Sequence, residues 1–283
     1  MREITRITSR ENQKLKYARG VREGKIKDAV FVEGARHVEE VLRSKAMIIE
    51  CFYDETFSGT ERGDKLIDKI TTQTRKVSVV ENRIFPSVAA TNTPQGIVLI
   101  VQKPLTTEEN FSRQVQQTKR QDSPIVFLSE INNPSNLGAI LRTAEAAGAA
   151  GIIVSTKSAD AFSPKSTRSA LGANLRLPIW ENAEFDAVLD WANEKKLVTT
   201  AADINARKKY MEIDWTVPRL VIFGSEAHGL SESARAQIEE LVYVPMENDV
   251  ESLNLAVSCG IILFEARRQS VSLEQMQTKT EKF

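Results

Sequence analysis

Five short runs of almost uninterrupted apolar residues constrain this chain more than any other feature. PIVFLS (124–129), GIIVS (151–155), KLVTTAA (196–202), RLVIFG (219–224) and LVYVP (241–245) each read as a β-strand without polar alternation. A strand with one face in water alternates apolar and polar residues, whereas a strand covered on both faces does not. The five runs therefore predict a mostly parallel sheet with helices on both faces, an α/β fold. Helical patterns fall between them at 139–147, 185–193, 231–239 and, longest, 253–267.

The first hundred residues carry a second, smaller αβ pattern. Residues 9–19 are polar and helix-compatible, AVFVEG (29–34) reads as a strand, and 35–42 has its apolar residues at helical spacing. MIIECFY (47–53), KVSVV (76–80) and GIVLIVQ (96–102) are further strands, with a helix at 64–70 between the first two. The stretch 104–123 turns polar, opens on Pro104 and lacks a sustained apolar face, which is the composition of a linker with some helical character. The expected organisation is residues 1–103 as one domain, 104–123 as linker, 124–270 as the second domain and 271–283 as a fraying tail. A length of 283 residues suits two domains.

Several chemistries are excluded. GxxxxGK[ST], a strand–GxGxxG–helix, GxSxG, HExxH and CxxC are all absent. Cys51 and Cys259 lie too far apart in sequence for a disulfide framework or a cysteine zinc site, and with only His37 and His228 no metal is expected. No run of 18 apolar residues occurs and the first residues do not resemble a signal peptide, so the expectation is a cytoplasmic protein with no membrane partner. Net charge is zero, from 38 basic and 38 acidic groups, but residues 1–27 hold nine basic side chains against three acidic ones. A basic arm on an otherwise mildly acidic chain suits a phosphate backbone, and Arg10, Lys14, Lys16 and Arg19 are its candidate contacts. A salt-bridged, solvated helix face accounts for the same charges.

Three segments that follow strands of the second domain stand out. In SEINNPSNLGAILRTAEAAGA (129–149) a polar loop with Asn136 enters an Ala-rich helix carrying Arg142, and both side chains are expected on one rim of a crevice. An Asn-Leu-Gly turn at a helix start presents backbone N–H groups to a ligand; a capped helix with a surface arginine is the alternative. In VIFGSEAHGLSES (221–233) a buried strand runs into Gly224, where a ligand can approach the backbone, followed by Glu226 and a His228 read as a turn residue. In VPMENDVESLNLAVSCGIILFEARRQ (244–269) Ser252 and Asn254 stand at the mouth of a helix that is apolar on nearly every face and must be buried in a core or subunit interface, with Ser252 a possible N-cap.

Taken together and in this order, NPSNLGAILRTAEAAGA, FGSEAHGLS and VPM…ESLNLAV resemble motifs one to three of the TrmH/SpoU RNA ribose methyltransferases of the SPOUT superfamily, over about 124–269. FVEGARHVEEVL (31–42) resembles that family's ribosomal-protein-like substrate-binding extension. The resemblance implies a deep trefoil knot, S-adenosylmethionine as cofactor and methyl transfer to a ribose 2′-hydroxyl of structured RNA. It implies a homodimer whose active site is completed across the interface. By motif position Asn136, Arg142, Glu226, Ser252 and Asn254 would be catalytic, and backbone around Thr200, Gly224, Val244 and Leu253 would contact the cofactor. The amino-terminal extension favours ribosomal RNA over tRNA, and a catalytically silent RNA-binding assembly protein of the same fold is the reading from another class.

The chemistry suits these residue types. A sulfonium methyl is already activated, so the protein must align donor and hydroxyl and help the proton leave. Arg142 suits electrostatic positioning, because a guanidinium hardly deprotonates in proteins. Motif three often has glycine where Asn248 stands, and Asn tolerates the left-handed backbone better than most residues. Cys259 reads as packing, and Lys165, Arg168 and Arg176 in SPKSTRSALGANLRLP (163–178) read as further phosphate contacts or as a solvated helix.

Overall fold

A computed structural model of the chain describes residues 4–118, 123–248 and 250–280. In chain order the elements are β1 (Thr5–Ile7), α1 (Gln13–Arg22), β2 (Ala29–Glu33), α2 (Ala35–Ser44), β3 (Ile48–Asp54), α3 (Glu55–Ser58), α4 (Glu61–Gln73), β4 (Val77–Val80) and β5 (Ile97–Gln102). There follow α5 (Glu108–Gln116), β6 (Ile125–Leu128), α6 (Pro134–Ala147), β7 (Gly151–Ser155), α7 (Pro164–Ala170), β8 (Ile179–Ala183), α8 (Phe185–Glu194) and β9 (Val198–Ala202). The last are β10 (Lys208–Lys209), β11 (Arg219–Phe223), α9 (Glu232–Arg235), β12 (Glu240–Tyr243) and α10 (Leu255–Thr280).

These form two compact units, and the boundary is not a single point in the sequence. One unit comprises Met1–Pro104 together with Asp160–Arg176; the other comprises Leu105–Ala159 and Leu177–Phe283. The first is built on a mixed sheet ordered β1-β4-β3-β5-β2, in which β5 runs antiparallel to β3 and β2. Leu15, Ala18 and Val21 of α1 join Phe31, Phe52, Phe85 and Ile100 in its core. Asn12 starts α1 by accepting from the Lys14 N–H at 2.9 Å, so the helix begins four residues later than the polar pattern suggests. β1 has no counterpart among the expected strands: three residues carry too little periodicity to read.

The second unit has a seven-stranded, wholly parallel sheet ordered β10-β12-β9-β11-β6-β7-β8. All five apolar runs are strands in it. β6, β7 and β11 are buried at every residue, as a sheet covered on both faces requires. The polar stretch expected as a linker carries α5, capped by Thr107, and its Phe111 is completely buried against Trp180 and Trp191. One aromatic anchors this helix: burying such a side chain stabilises by about 1.5–3 kcal/mol. Gly151 at the start of β7 makes room for it, since a Cβ there would lie 2.6 Å from the Phe111 ring. Residues 119–122 of the expected linker and 281–283 of the expected tail lie outside the described residues. The remainder of that tail, to Thr280, continues α10 as helix. The helix expected over 231–239 shortens to α9, because the chain must turn back into β12 at Glu240.

α10 packs on α6. Cys259, Ile262, Leu263 and Ala266 are buried there, and Gly260 brings the helices close enough that a Cβ would sit 3.3 Å from the Thr143 methyl. Cys259 is packing: burial pushes its thiol well above the ordinary range. The opposite side of α10 leaves Val257 and Phe264 half exposed, so the helix is not enclosed on every face. Among the described residues no helix is long and apolar enough to cross a membrane.

Candidate active site

At the carboxyl ends of the central strands, three of the residues singled out above come together. The loop after β6 is held by the end of β7: the Glu130 N–H donates to Ser155 Oγ at 2.8 Å and the Ile131 N–H to Ser158 Oγ at 3.1 Å, with Glu130 itself at φ 58°. Asn133 then caps α6, accepting from the Ser135 N–H at 2.9 Å, and Pro134 takes a first-turn position where its missing N–H costs nothing. The Asn-Leu-Gly segment expected as a turn is thereby the first turn of the helix. Asn136 is held there, while Leu137 and Gly138 pack inward.

After β11 the chain makes a five-residue hairpin closed by Ser225 and Gly229, whose backbones exchange hydrogen bonds of 3.0 and 2.8 Å. Gly224 admits this closure: a Cβ on it would stand 2.4 Å from the Gly229 carbonyl carbon. The hairpin displays Glu226, Ala227 and His228, the last in a turn as expected. The third strand end, after β12, leads through Asn248 at φ 58° to Asn254. That left-handed position is one that glycine or Asn fills at least cost. Asn254 is the N-cap of α10, its Oδ1 accepting from the Ala256 N–H at 2.9 Å and its carbonyl from the Ser258 N–H at 3.0 Å. Ser252, expected as a possible cap, stands two residues outside the helix.

The three side chains form one directed chain. Asn254 Nδ2 donates to Asn136 Oδ1 at 3.3 Å, and Asn136 Nδ2 donates to Glu226 Oε1 at 2.6 Å. The Asn136 amide is thus fixed at both ends, and one of its two Nδ2 hydrogens has no partner among these groups. Glu226 and Asn254 are solvent-exposed and Asn136 between them is half-buried, so the chain lies at a surface that a large substrate can reach.

Behind it lies a cavity of 710 Å³, lined by Gly224, Glu226, Val244, Ser252, Leu253 and Asn254, among others. Of the four backbone positions expected at a cofactor, Gly224, Val244 and Leu253 line it. Thr200 does not: it is fully buried, its hydroxyl accepts from Arg219 Nη1 at 2.7 Å, and Ala202 at the strand end faces the cavity in its place. The volume is in the range of small-molecule sites, and nearly balanced polar and apolar walls suit a ligand with an aromatic base, a ribose and a charged chain.

Arg142 is exposed and does not line this cavity. Six residues along a helix correspond to about 9 Å of rise and an offset of about 120°, so Asn136 and Arg142 do not share one rim. The four basic residues of the amino-terminal arm are dispersed in their engagements. Lys14 turns toward Glu50, 3.6 Å away, and Ser78; Lys16 pairs with Glu11 at 2.7 Å; Arg19 donates to the Arg10 carbonyl at 2.9 Å.

Two groups escaped the sequence reading. Arg219 is buried in β11, bonded to Glu240 at 2.6 Å and to the Asp214 carbonyl at 2.8 Å. An arginine opening an otherwise apolar strand is the signal that could have revealed it, since a buried charge needs a partner. Asp203 and Arg235, paired at 3.3 Å, both line the cavity, and nothing in their local sequence distinguishes them.

Comparison with known proteins agrees with this geometry. Residues 123–264 match the SpoU rRNA methylase family, and residues 31–106 match RNA 2′-O ribose methyltransferase substrate binding. An uncharacterized tRNA/rRNA methyltransferase of Synechocystis sp. is 32% identical over 271 residues, covering 94% of this chain and 95% of the relative. The Bacillus subtilis 23S rRNA (guanosine(2553)-2′-O)-methyltransferase is 27% identical over 268 residues, covering 93% and 100%. Among solved structures, the AdoMet-bound rRNA methyltransferase from Sinorhizobium meliloti superposes with a TM-score of 0.79 at 25% identity, covering 94% of this chain and 98% of that one. With motif, strand-end geometry and whole-length similarity in agreement, the chain belongs to the SpoU rRNA methylase family.

Proposed function

We infer that the protein is an enzyme that transfers the methyl group of S-adenosylmethionine to a ribose 2′-hydroxyl of ribosomal RNA, acting in the cytoplasm. The observation that carries this reading is the Asn254–Asn136–Glu226 chain at the mouth of a cavity of cofactor size. The cofactor supplies an activated methyl group, so the protein's task is alignment and removal of one proton. Gly224, Val244 and Leu253 would hold the cofactor through their backbones, in the knotted pocket that the motifs imply, with Ser252 at its rim. Glu226 and Asn254 clamp the Asn136 amide, whose remaining hydrogen orients the ribose. Arg142 holds the neighbouring phosphate and stabilises the developing alkoxide.

Its exposure away from its own chain's cavity supports the reading that Arg142 does this for a second copy. A homodimer is also favoured by the outward stripe of α10, where Val257 and Phe264, each 50% exposed and two turns apart, form an uncovered apolar face. The test is transfer from labelled S-adenosylmethionine to total RNA from cells lacking the enzyme, followed by mapping of ribose methylation. One new 2′-O-methyl position in ribosomal RNA is the expected result. A position in tRNA alone would move the substrate, and cofactor binding without any transfer would favour the silent RNA-binding reading.

A further inference from the structure

We propose that Arg36, Lys165 and Arg168 form an RNA phosphate track on the first unit, distinct from the basic arm of α1. This rests on the reading of the protein as an RNA methyltransferase and names a surface that receives the RNA. The segment Asp160–Arg176 leaves β7 and returns to β8, two neighbours in the parallel sheet, yet belongs to the first unit, where α7 packs on β2. His37 Nε2 donates to the Arg168 carbonyl at 3.1 Å, which ties the start of α2 to the end of α7. Arg36 adjoins that histidine, and Lys165 lies one turn before Arg168 on the same helix face.

All three cations are exposed, and none has a hydrogen bond or ion pair among the described residues. The nearby carboxylates are engaged elsewhere. Glu33 accepts from the Ala90 N–H and the Thr91 hydroxyl, Glu39 pairs with Arg62, and Glu40 pairs with Arg43 and Arg176. In α1, by contrast, Lys14 and Lys16 already face Glu50 and Glu11. Three unneutralised cations on two helices joined by the His37–Arg168 hydrogen bond present a positive strip, and a strand of phosphates is the anion that matches it. Because α7 is joined at both ends to strands of the catalytic sheet, RNA held there is tethered through short chain segments to the methyl-transfer unit.

The test is the salt dependence of binding to a ribosomal RNA transcript, measured for the wild type, for the triple variant R36Q/K165Q/R168Q and for K16Q/R19Q. Each lost phosphate contact lowers the slope of log affinity against log salt by about 0.7–0.9, so the triple variant is expected to lose about two to three units. The α1 variant should lose less. Single variant K165Q, at an exposed side chain without contacts, repeats the measurement where the triple variant fails to fold, and should lose about one unit. S-adenosylhomocysteine affinity should stay within twofold of wild type in all of them. An unchanged slope for the track variants, or the whole loss falling on α1, overturns the track while leaving the methyltransferase reading intact. A wild type that binds no RNA overturns both.

Discussion

At the residue scale, the site is two amides held by the starts of two helices and one carboxylate held by a hairpin. Asn136→Ala should reduce methyl transfer by about 100-fold or more, the magnitude of removing one oriented donor. S-adenosylhomocysteine affinity, measured by calorimetry, should change little; equal loss of both would make Asn136 a wall of the cofactor cavity rather than a ribose ligand. Which residue types would meet was legible in the sequence, because Asn136, Glu226 and Asn254 each follow the end of a strand of the parallel sheet, and parallel strands deliver their loops to one edge. The bond order was not legible. That Asn254 rather than Ser252 caps α10 depends on where the helix starts, and a slip of two residues would exchange the caps. Thr200 lies on the same strand face as Ala202 but two residues further from the strand end, where its hydroxyl meets Arg219.

At the scale of elements, β9, β11 and β12 are locked under the cavity by Arg219, which bridges Thr200 and Glu240. Burial alone would raise the Glu240 carboxyl, but the hydrogen bonds and charges of Arg219 and Lys208 outweigh it and hold the group below its ordinary 4.5. A carboxyl lowered in the folded state stabilises above the unfolded value, and that stability is lost as pH falls through the native one. Glu240→Gln should therefore cost about 2 kcal/mol at pH 7 in urea unfolding, discounted for its partial exposure. The difference from wild type should shrink progressively below pH 4.5. The strands themselves were readable because a short apolar run without alternation, bounded by turn residues, suits a strand covered on both faces and little else. α5 was not: a helix anchored by the single Phe111 shows no repeating apolar face, and its polar composition resembles a linker. For α10, Phe264→Glu places a charge on the exposed apolar stripe without touching the packing on α6. Sedimentation should then report a monomer with an unchanged circular dichroism spectrum; a persistent dimer would move the interface elsewhere.

At the scale of the whole molecule, the proposal that Arg142, outside its own chain's cavity, serves a second copy can be tested by complementation. Arg142→Ala and Asn136→Ala should each be inactive alone. If Arg142 serves the other copy, mixing and re-annealing the two should restore roughly a quarter of wild-type activity, since half the dimers are mixed and one of their two sites is intact. No restoration would place both residues in the same chain's site. The sequence foretold two α/β-type units but drew the boundary at a single linker. Periodicity reads each element locally and has no means of seeing that 17 residues between β7 and β8, Asp160–Arg176, pack with the amino-terminal sheet.

That excursion has a consequence for how the chain is made. The amino-terminal unit leaves the ribosome first, but it lacks α7 until translation has passed residue 176. At about 5–20 residues per second, the roughly 70 residues after Pro104 take several seconds to synthesise. During that interval the face of β2 that α7 covers is open, and the strip around Arg36 lacks two of its three charges. The nascent chain therefore completes its first unit only after beginning its second sheet, and on the proposed track its hold on RNA would mature during synthesis.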